Sequence, residues 1–113
     1  MFGWLNVTTN TNGVPYLKTT GVTVGTDTVD FALGFRRIEP IGYLTINVAD
    51  AIPDGTTGTL PVRFTLNGTS RNLTFFGGTS VTAADLTGTG VIEVFHDYFS
   101  GSLWLVSPLA PTA

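Results

Sequence analysis

The stretch Leu60–Phe76, LPVRFTLNGTSRNLTFF, decides the fold, because a two-residue turn separates two runs of alternating side chains. Asn67-Gly68 is a preferred pair for a type I′ turn, in which both central residues have positive φ. Counting outward from the turn pairs Leu66 with Thr69, Phe64 with Arg71, Val62 with Leu73 and Leu60 with Phe75. Apart from Arg71 near the tip, this register collects apolar side chains on one face. It predicts a half-buried β-hairpin.

Short β-strands are predicted on both sides of this hairpin. Helical periodicity is nearly absent, and glycine and proline recur at the spacing of small β-sandwiches and barrels, roughly every 8–12 residues. Thr82–Asp85 resembles a short capped turn in which the Thr82 hydroxyl accepts backbone N–H bonds. It predicts at most one helical turn, because Gly88 and Gly90 follow at once. We therefore expect an all-β fold, a single β-sandwich or partly open barrel of about eight short strands. The further strands are Val14–Lys18, Val22–Val24, Val29–Phe35, Tyr43–Val48, Val91–His96 and Leu103–Val106.

The chain length suits one domain. Its 113 residues are too few for a second independent core. We expect an N-terminal arm over residues 1–13, a β domain over 14–106 and an irregular C-terminal tail over 107–113, which contains two prolines. The N-terminal residues show no secretory signal, and no segment reaches the ~18 apolar residues that a membrane helix requires. The expectation is a protein without a membrane partner.

The charge composition limits the classes of partner. Five Lys and Arg against eight Asp and Glu give a net charge of −3, which argues against a nucleic-acid surface. The chain has no cysteine, which excludes disulfides, thiolate metal sites and cysteine nucleophiles. Neither feature points to an enzyme.

His96 is the only histidine, so any histidine-based chemistry depends on it. Glu93 would point to the opposite face of the same strand, and the adjacent Asp97 would diverge from the imidazole. We therefore interpret His96 as a strand-end residue with local hydrogen bonds. The carboxylates that could bind calcium match no alternating ligand loop; they are Asp27, Asp30, Asp50 and Asp54. The expectation is no catalytic residue, no metal site and no cofactor.

The aromatic residues allow two interpretations. Five rings could form a sugar-stacking platform, but burial in a core or an interface is the more frequent role of such residues. A carbohydrate-binding module therefore stays open as an alternative function, with surface glycans as its partner. The five are Trp4, Tyr16, Tyr43, Tyr98 and Trp104.

The scarcity of charge favours a subunit of an assembly. Isolated β proteins guard their sheet edges with lysine, proline or inward charge, and Lys18 is the only lysine here. We expect other chains to cover the edges and apolar patches. The residues predicted to dock are Phe2, Trp4 and Leu5 as apolar anchors, with Arg36 and Arg37 pairing with acidic groups of the neighbour.

The second half of the chain also resembles a known protein family. The runs AIPDGTTGTLPVRF (51–64), LNG (66–68), LTFFGGTSVTAADLTGTGV (73–91) and VFHDYFSGSLWLV (94–106) are similar to small structural proteins of tailed bacteriophages. Such proteins are common in phages of gut Bacteroidetes, including crAss-like phages. They are auxiliary, decoration or head-fibre components of the capsid exterior. The likeness extends upstream to Gly42–Ile46.

The resemblance implies a β-rich virion protein that binds the major capsid protein in many copies and braces the shell. It also implies assembly in the bacterial cytoplasm and contacts with copies of itself. The family's strand-end pattern has Tyr-Asp where this chain has His96-Asp97. The chain shows no coiled-coil heptads and no large distal domain, which favours a compact decoration or anchoring subunit.

Overall fold

The computed structural model describes residues 15–34 and 38–106, and this part of the chain is all-β, with no helix. The eight strands are β1 (Tyr16–Val24), β2 (Val29–Leu33), β3 (Ile41–Val48), β4 (Val62–Leu66), β5 (Thr69–Asn72), β6 (Thr74–Phe75), β7 (Gly90–Asp97) and β8 (Ser102–Leu105). The predicted all-β fold of about eight short strands is confirmed, in its barrel form. No helix that could cross a membrane occurs among these residues.

The strands form one mixed sheet in the order β5-β4-β2-β1-β3-β7-β8-β6. The strands at its two ends, β5 and β6, are consecutive in the chain, with only Leu73 between them. The backbone N–H of Leu73 donates to the carbonyl of Val62 at 2.9 Å, and its carbonyl accepts from Val81 at 2.9 Å. The sheet therefore curls into a nearly closed barrel whose ends are joined through Leu73.

The central hairpin has the predicted register near its turn. Leu66 pairs with Thr69 and Phe64 with Arg71, and Asn67 and Gly68 both have positive φ. The predicted pairing of Leu60 with Phe75 is wrong. Leu73 keeps one hydrogen bond to its predicted partner Val62, whose own N–H donates to Val81 instead; beyond Leu73 the chain leaves β4, and β6 pairs in parallel with β8.

The segment expected to hold two strands, Val14–Lys18 and Val22–Val24, contains the single strand β1. Its first half pairs in parallel with β3, from Tyr16 to Lys18, and its second half pairs antiparallel with β2. The register shifts between Thr19 and Gly21, which marks a bulge. One strand therefore changes partner at an irregularity that looked like a strand end.

The core lies inside the barrel and is lined by alternate residues of the strands. Phe31 and Phe64 stack at its centre, with ring centroids 5.1 Å apart and planes 19° apart. The buried hydroxyl of Thr19 donates to Asp50 at 2.8 Å and accepts from the backbone N–H of Ala49 at 2.9 Å. The other large, fully buried side chains are Val29, Ile46, Val48, Val62, Leu73, Val81, Val94 and Leu103.

The predicted capped turn at Thr82 forms, with one change of role. The Asp85 carboxylate accepts from both the backbone N–H and the hydroxyl of Thr82, each at 3.0 Å. The hydroxyl therefore donates to the carboxylate, where it was expected to accept from the backbone.

The closure of the barrel changes the expectation about exposed sheet edges. Because β5 and β6 are joined through Leu73, the described sheet does not offer two free edges for another chain to extend. The arm over residues 1–13 and the tail over 107–113 lie outside the described residues, as do Arg36 and Arg37.

Candidate functional site

Four aromatic side chains form a row across the outer face of the sheet. Tyr43 of β3, Phe95 of β7 and Trp104 of β8 occupy directly paired positions, and Phe76 follows β6. Neighbouring ring centroids lie 5.3 Å apart for Tyr43–Phe95, 5.8 Å for Phe95–Trp104 and 5.5 Å for Phe76–Trp104. We call these four residues the aromatic row.

Strand alternation places the row on the outside. In β7, Val94 is buried in the core while Phe95 points away from it, and in β8 Leu103 is buried beside the outward Trp104. The ends of the row are the most open, with Tyr43 55% and Phe76 77% exposed. The row is therefore a surface feature and not part of the core.

Further apolar residues extend this surface. Ile41 lies two residues before Tyr43 in β3, and Val91 lies four residues before Phe95 in β7, so both share the outward face. Val106, two residues after Trp104, is exposed as well. These exposed apolar residues accompany the row on the outward face, with the exposed Glu93 between Val91 and Phe95.

The ring orientations bear on whether the row is a sugar-stacking platform or a protein interface. The Phe95 and Trp104 planes are 24° apart and stacked, while Tyr43 and Phe76 meet their neighbours edge to face, at 73° and 78°. A sugar binds flat against an open ring face, and here the central ring faces lie against each other. The four rings of the row therefore do not lie in one plane.

The residues named for a sugar platform are only partly brought together. Tyr43 and Trp104 share the row, whereas Tyr16 is half-buried and its hydroxyl accepts from Asn47 at 2.9 Å. Tyr98 lies at the tip of the β7–β8 hairpin, and Trp4 lies outside the described residues. Phe95 and Phe76 were missed, although the alternation of Val91–His96 already placed Phe95 beside Glu93 on the outward face.

A cavity of about 340 Å³ lies on the other side of β7. It is bounded by the β4–β5 turn, the segment before β3 and the start of the β7–β8 loop. Its polar groups come from Arg71, His96, Glu39 and Tyr98, and its apolar walls from Ile38, Pro40 and Leu66.

His96 lies at this cavity but is only 3% exposed. Neither ring nitrogen has a hydrogen-bond partner among the described residues, so the expected local hydrogen bonds are absent. Burial, and secondly the Arg71 guanidinium, lower the pKa of His96 below its ordinary 6.5, while Asp97 acts in the opposite direction. The imidazole is therefore neutral at pH 7.

The neighbouring carboxylates do not assemble with His96. Asp97 caps the hairpin turn instead, accepting from the backbone N–H groups of Phe99 at 3.0 Å and Ser100 at 3.3 Å. Glu93 is exposed on the outer face, as predicted. Among the described residues, Glu39 is the only carboxylate that lines the cavity.

Arg71 is held in place by the tip of the β7–β8 hairpin. Its guanidinium carbon lies 5.1 Å from the centroid of the Tyr98 ring, and Nη2 donates to the Tyr98 carbonyl at 3.3 Å. The sequence register treated Arg71 as a mismatch opposite Phe64; the hairpin in fact directs it into the cavity.

Metal ligands are not grouped within the described ranges: no cluster of three or more His, Asp or Glu side chains occurs there. Asp30 forms a two-point ion pair with Arg63, at 2.7 and 3.1 Å, and Asp50 accepts from Thr19. Both carboxylates therefore have structural partners. The docking residues predicted from sequence, Phe2, Trp4, Leu5, Arg36 and Arg37, all lie outside the described residues.

Comparisons of the chain with protein-family models, with curated proteins and with solved structures find no match. The resemblance to phage structural proteins therefore rests on the sequence runs themselves.

Proposed function

We propose that this chain is a structural subunit of a protein assembly and that the aromatic row is its docking surface. Following the sequence resemblance, the assembly is the capsid of a tailed bacteriophage. The chain would then be an auxiliary, decoration or head-fibre subunit on the capsid exterior. Its partners would be the major capsid protein and copies of itself, and its role would be to brace the shell.

The observation that supports this proposal is the exposed aromatic row on a surface poor in charge. Buried aromatic side chains remove roughly 150–250 Å² each from water, and they are enriched in protein interfaces. Tyr43 and Phe76 expose most of their rings in the isolated domain. Covering them with an apolar partner surface would offset this exposure.

A carbohydrate-binding module is the second candidate. Tyr43 and Trp104, both named for a sugar platform, do lie in one row. The stacking of Phe95 on Trp104 favours a protein partner, because these two central rings already lie against each other. Binding of the purified domain to a glycan array or to mucin, lost on Tyr43→Ala, would reverse this preference.

Light scattering of the purified protein tests the assembly role. We expect oligomers whose mass is insensitive to salt, because apolar contacts are not screened by ions as charge pairs are. Phe76→Ser should shift the protein toward the monomer. Phe99→Ser is the matched control, since Phe99 is equally exposed, at 76%, but its ring contacts Tyr98 and not the row. A monomer at all concentrations would count against self-association.

Particle composition tests the capsid role. Deleting the gene from the phage genome that encodes it should give particles that lack a surface feature in negative-stain images. Purified wild-type protein added to those particles should sediment with them, and the Phe76→Ser variant should not. Particles with an unchanged outline and no bound protein would refute the capsid assignment.

A further inference from the structure

We propose that the cavity beside His96 is a binding site for a small carboxylate with an apolar body, held by the Arg71 guanidinium. This inference does not depend on the docking role of the aromatic row. The cavity volume, about 340 Å³, lies within the range of small-molecule sites, roughly 300–1,000 Å³.

Arg71 supplies the group that recognises the ligand. No carboxylate in the described part of the chain lies within ion-pair distance of it, whereas Arg63 of the same hairpin is paired with Asp30. A guanidinium presents five N–H donors in a fixed fork that matches a carboxylate. The Tyr98 ring and carbonyl hold that fork in position.

The hairpin tip leaves room for the guanidinium. Gly101 has φ +76°, and a Cβ atom there would lie 2.9 Å from Nη1 of Arg71. The absence of a side chain at this position lets Arg71 lie against the turn. Ile38, Pro40 and Leu66 form apolar walls that suit the body of the ligand.

His96 is a second, independent sign of a polar ligand. A buried imidazole without a hydrogen-bond partner costs stability, and such groups in native structures call for an explanation. The charged or titratable groups around it are Arg71, Glu39, Tyr98 and Asp97. A carboxylate on Arg71 would offset the positive charge that disfavours imidazolium, so ligand binding would be coupled to proton uptake by His96.

The carboxylate could come from a free small molecule or from an acidic side chain of another copy of the chain. Both sources offer the same chemistry to Arg71. Protein concentration distinguishes the two sources. If the carboxylate belongs to another copy of the chain, the His96 midpoint should change with protein concentration; if it belongs to a free small molecule, it should not.

Proton NMR of the full chain tests the proposal directly, because the single histidine needs no assignment. The probes are benzoate and the neutral benzamide, which share a ring and differ in charge. In a buffer free of small carboxylates, the His96 midpoint should lie below 6.5. Saturating benzoate should raise it by about half a pH unit or more, and benzamide should not. A midpoint that neither benzoate nor protein concentration moves would overturn the proposal.

Matched arginine variants assign the effect to the cavity. Arg71→Gln should raise the His96 midpoint in the absence of probe and abolish the response to benzoate. Arg63→Gln removes the same charge from the other face of the hairpin and should change neither. If Arg71→Gln fails to fold, Arg71→Lys keeps the charge but loses the fork, and it should weaken benzoate binding several-fold. Equal effects of the Arg71 and Arg63 variants would refute the site.

Discussion

His96 shows how one residue can depart from the pattern around it. The inward positions of β7 are Ile92, Val94 and His96, so the imidazole occupies a position where the strand otherwise buries aliphatic side chains. Its nitrogens have no partner among the described residues, which costs about 1–3 kcal/mol for an unpaired buried polar group. Burial, and secondly the Arg71 guanidinium, lower the pKa of His96, so the imidazole is neutral at pH 7.

Replacing His96 by leucine should stabilise the fold. His96→Leu removes the unpaired nitrogens while roughly keeping the volume, so we expect the free energy of unfolding at pH 7 to rise by about 1 kcal/mol. Urea denaturation measures it. His96→Asn is the control: it keeps unpaired polar atoms and should not stabilise. A loss of stability on His96→Leu would show that the imidazole makes a favourable contact.

The wild type and His96→Leu should also differ in how their free energy of unfolding depends on pH. The pKa of His96 is lowered in the folded state, so the unfolded chain takes up a proton first as the pH falls below 6.5. Wild-type stability should therefore decline from pH 6.5 downward until the folded imidazole also titrates. In His96→Leu this decline should be absent. Both proteins should still lose stability below pH 3.8. The hydrogen bonds from Arg63 lower the pKa of Asp30 in the folded state, so this carboxylate takes up a proton first in the unfolded chain.

Among the elements, the β4–β5 hairpin depends most directly on local sequence. The turn places Asn67 at φ 48° and Gly68 at φ 90°, as a type I′ turn requires. The pairing that follows is antiparallel and local. Its register near the turn is therefore set by the local sequence.

Gly68→Ala tests this local control. A Cβ atom at φ 90° is strained whatever space surrounds it, so we expect a loss of about 1 kcal/mol in the free energy of unfolding. Gly21→Ala is the matched control, because Gly21 lies in a strand with no positive φ and nothing within 4 Å of an added Cβ. Its change should stay within about 0.5 kcal/mol. Equal losses in both variants would show that the turn conformation is not limiting.

At the scale of the whole molecule, closure of the sheet determines what surface is left for partners. Leu73 joins the two end strands, so the described domain presents the face of its barrel and not open edges. Two of the exposed large apolar side chains, Tyr43 and Phe76, belong to the aromatic row on that face. An ion pair links two neighbouring strands of the barrel: Arg63 of β4 contacts Asp30 of β2.

Removing residues 1–13 should separate folding from docking. β1 begins at Tyr16, so the truncated chain keeps every described strand together with its partners. We expect circular dichroism and urea denaturation to match those of the full chain. If Phe2, Trp4 and Leu5 act as anchors, sedimentation with particles should be lost. Unchanged particle binding would refute the anchor role of these three residues.

The sequence by itself determined the all-β class, the central hairpin and its register as far as Asn72. These features follow from alternation and turn chemistry, which act over a few residues. Only the tertiary structure decided the parallel pairing of β6 with β8, the continuity of β1, the closure at Leu73, and the meeting of Arg71 with His96. The physical reason is that each of these depends on contacts between elements, which the local alternation and turn chemistry do not specify. Several strand orders satisfy the same alternation, and the packing of the shared core selects among them.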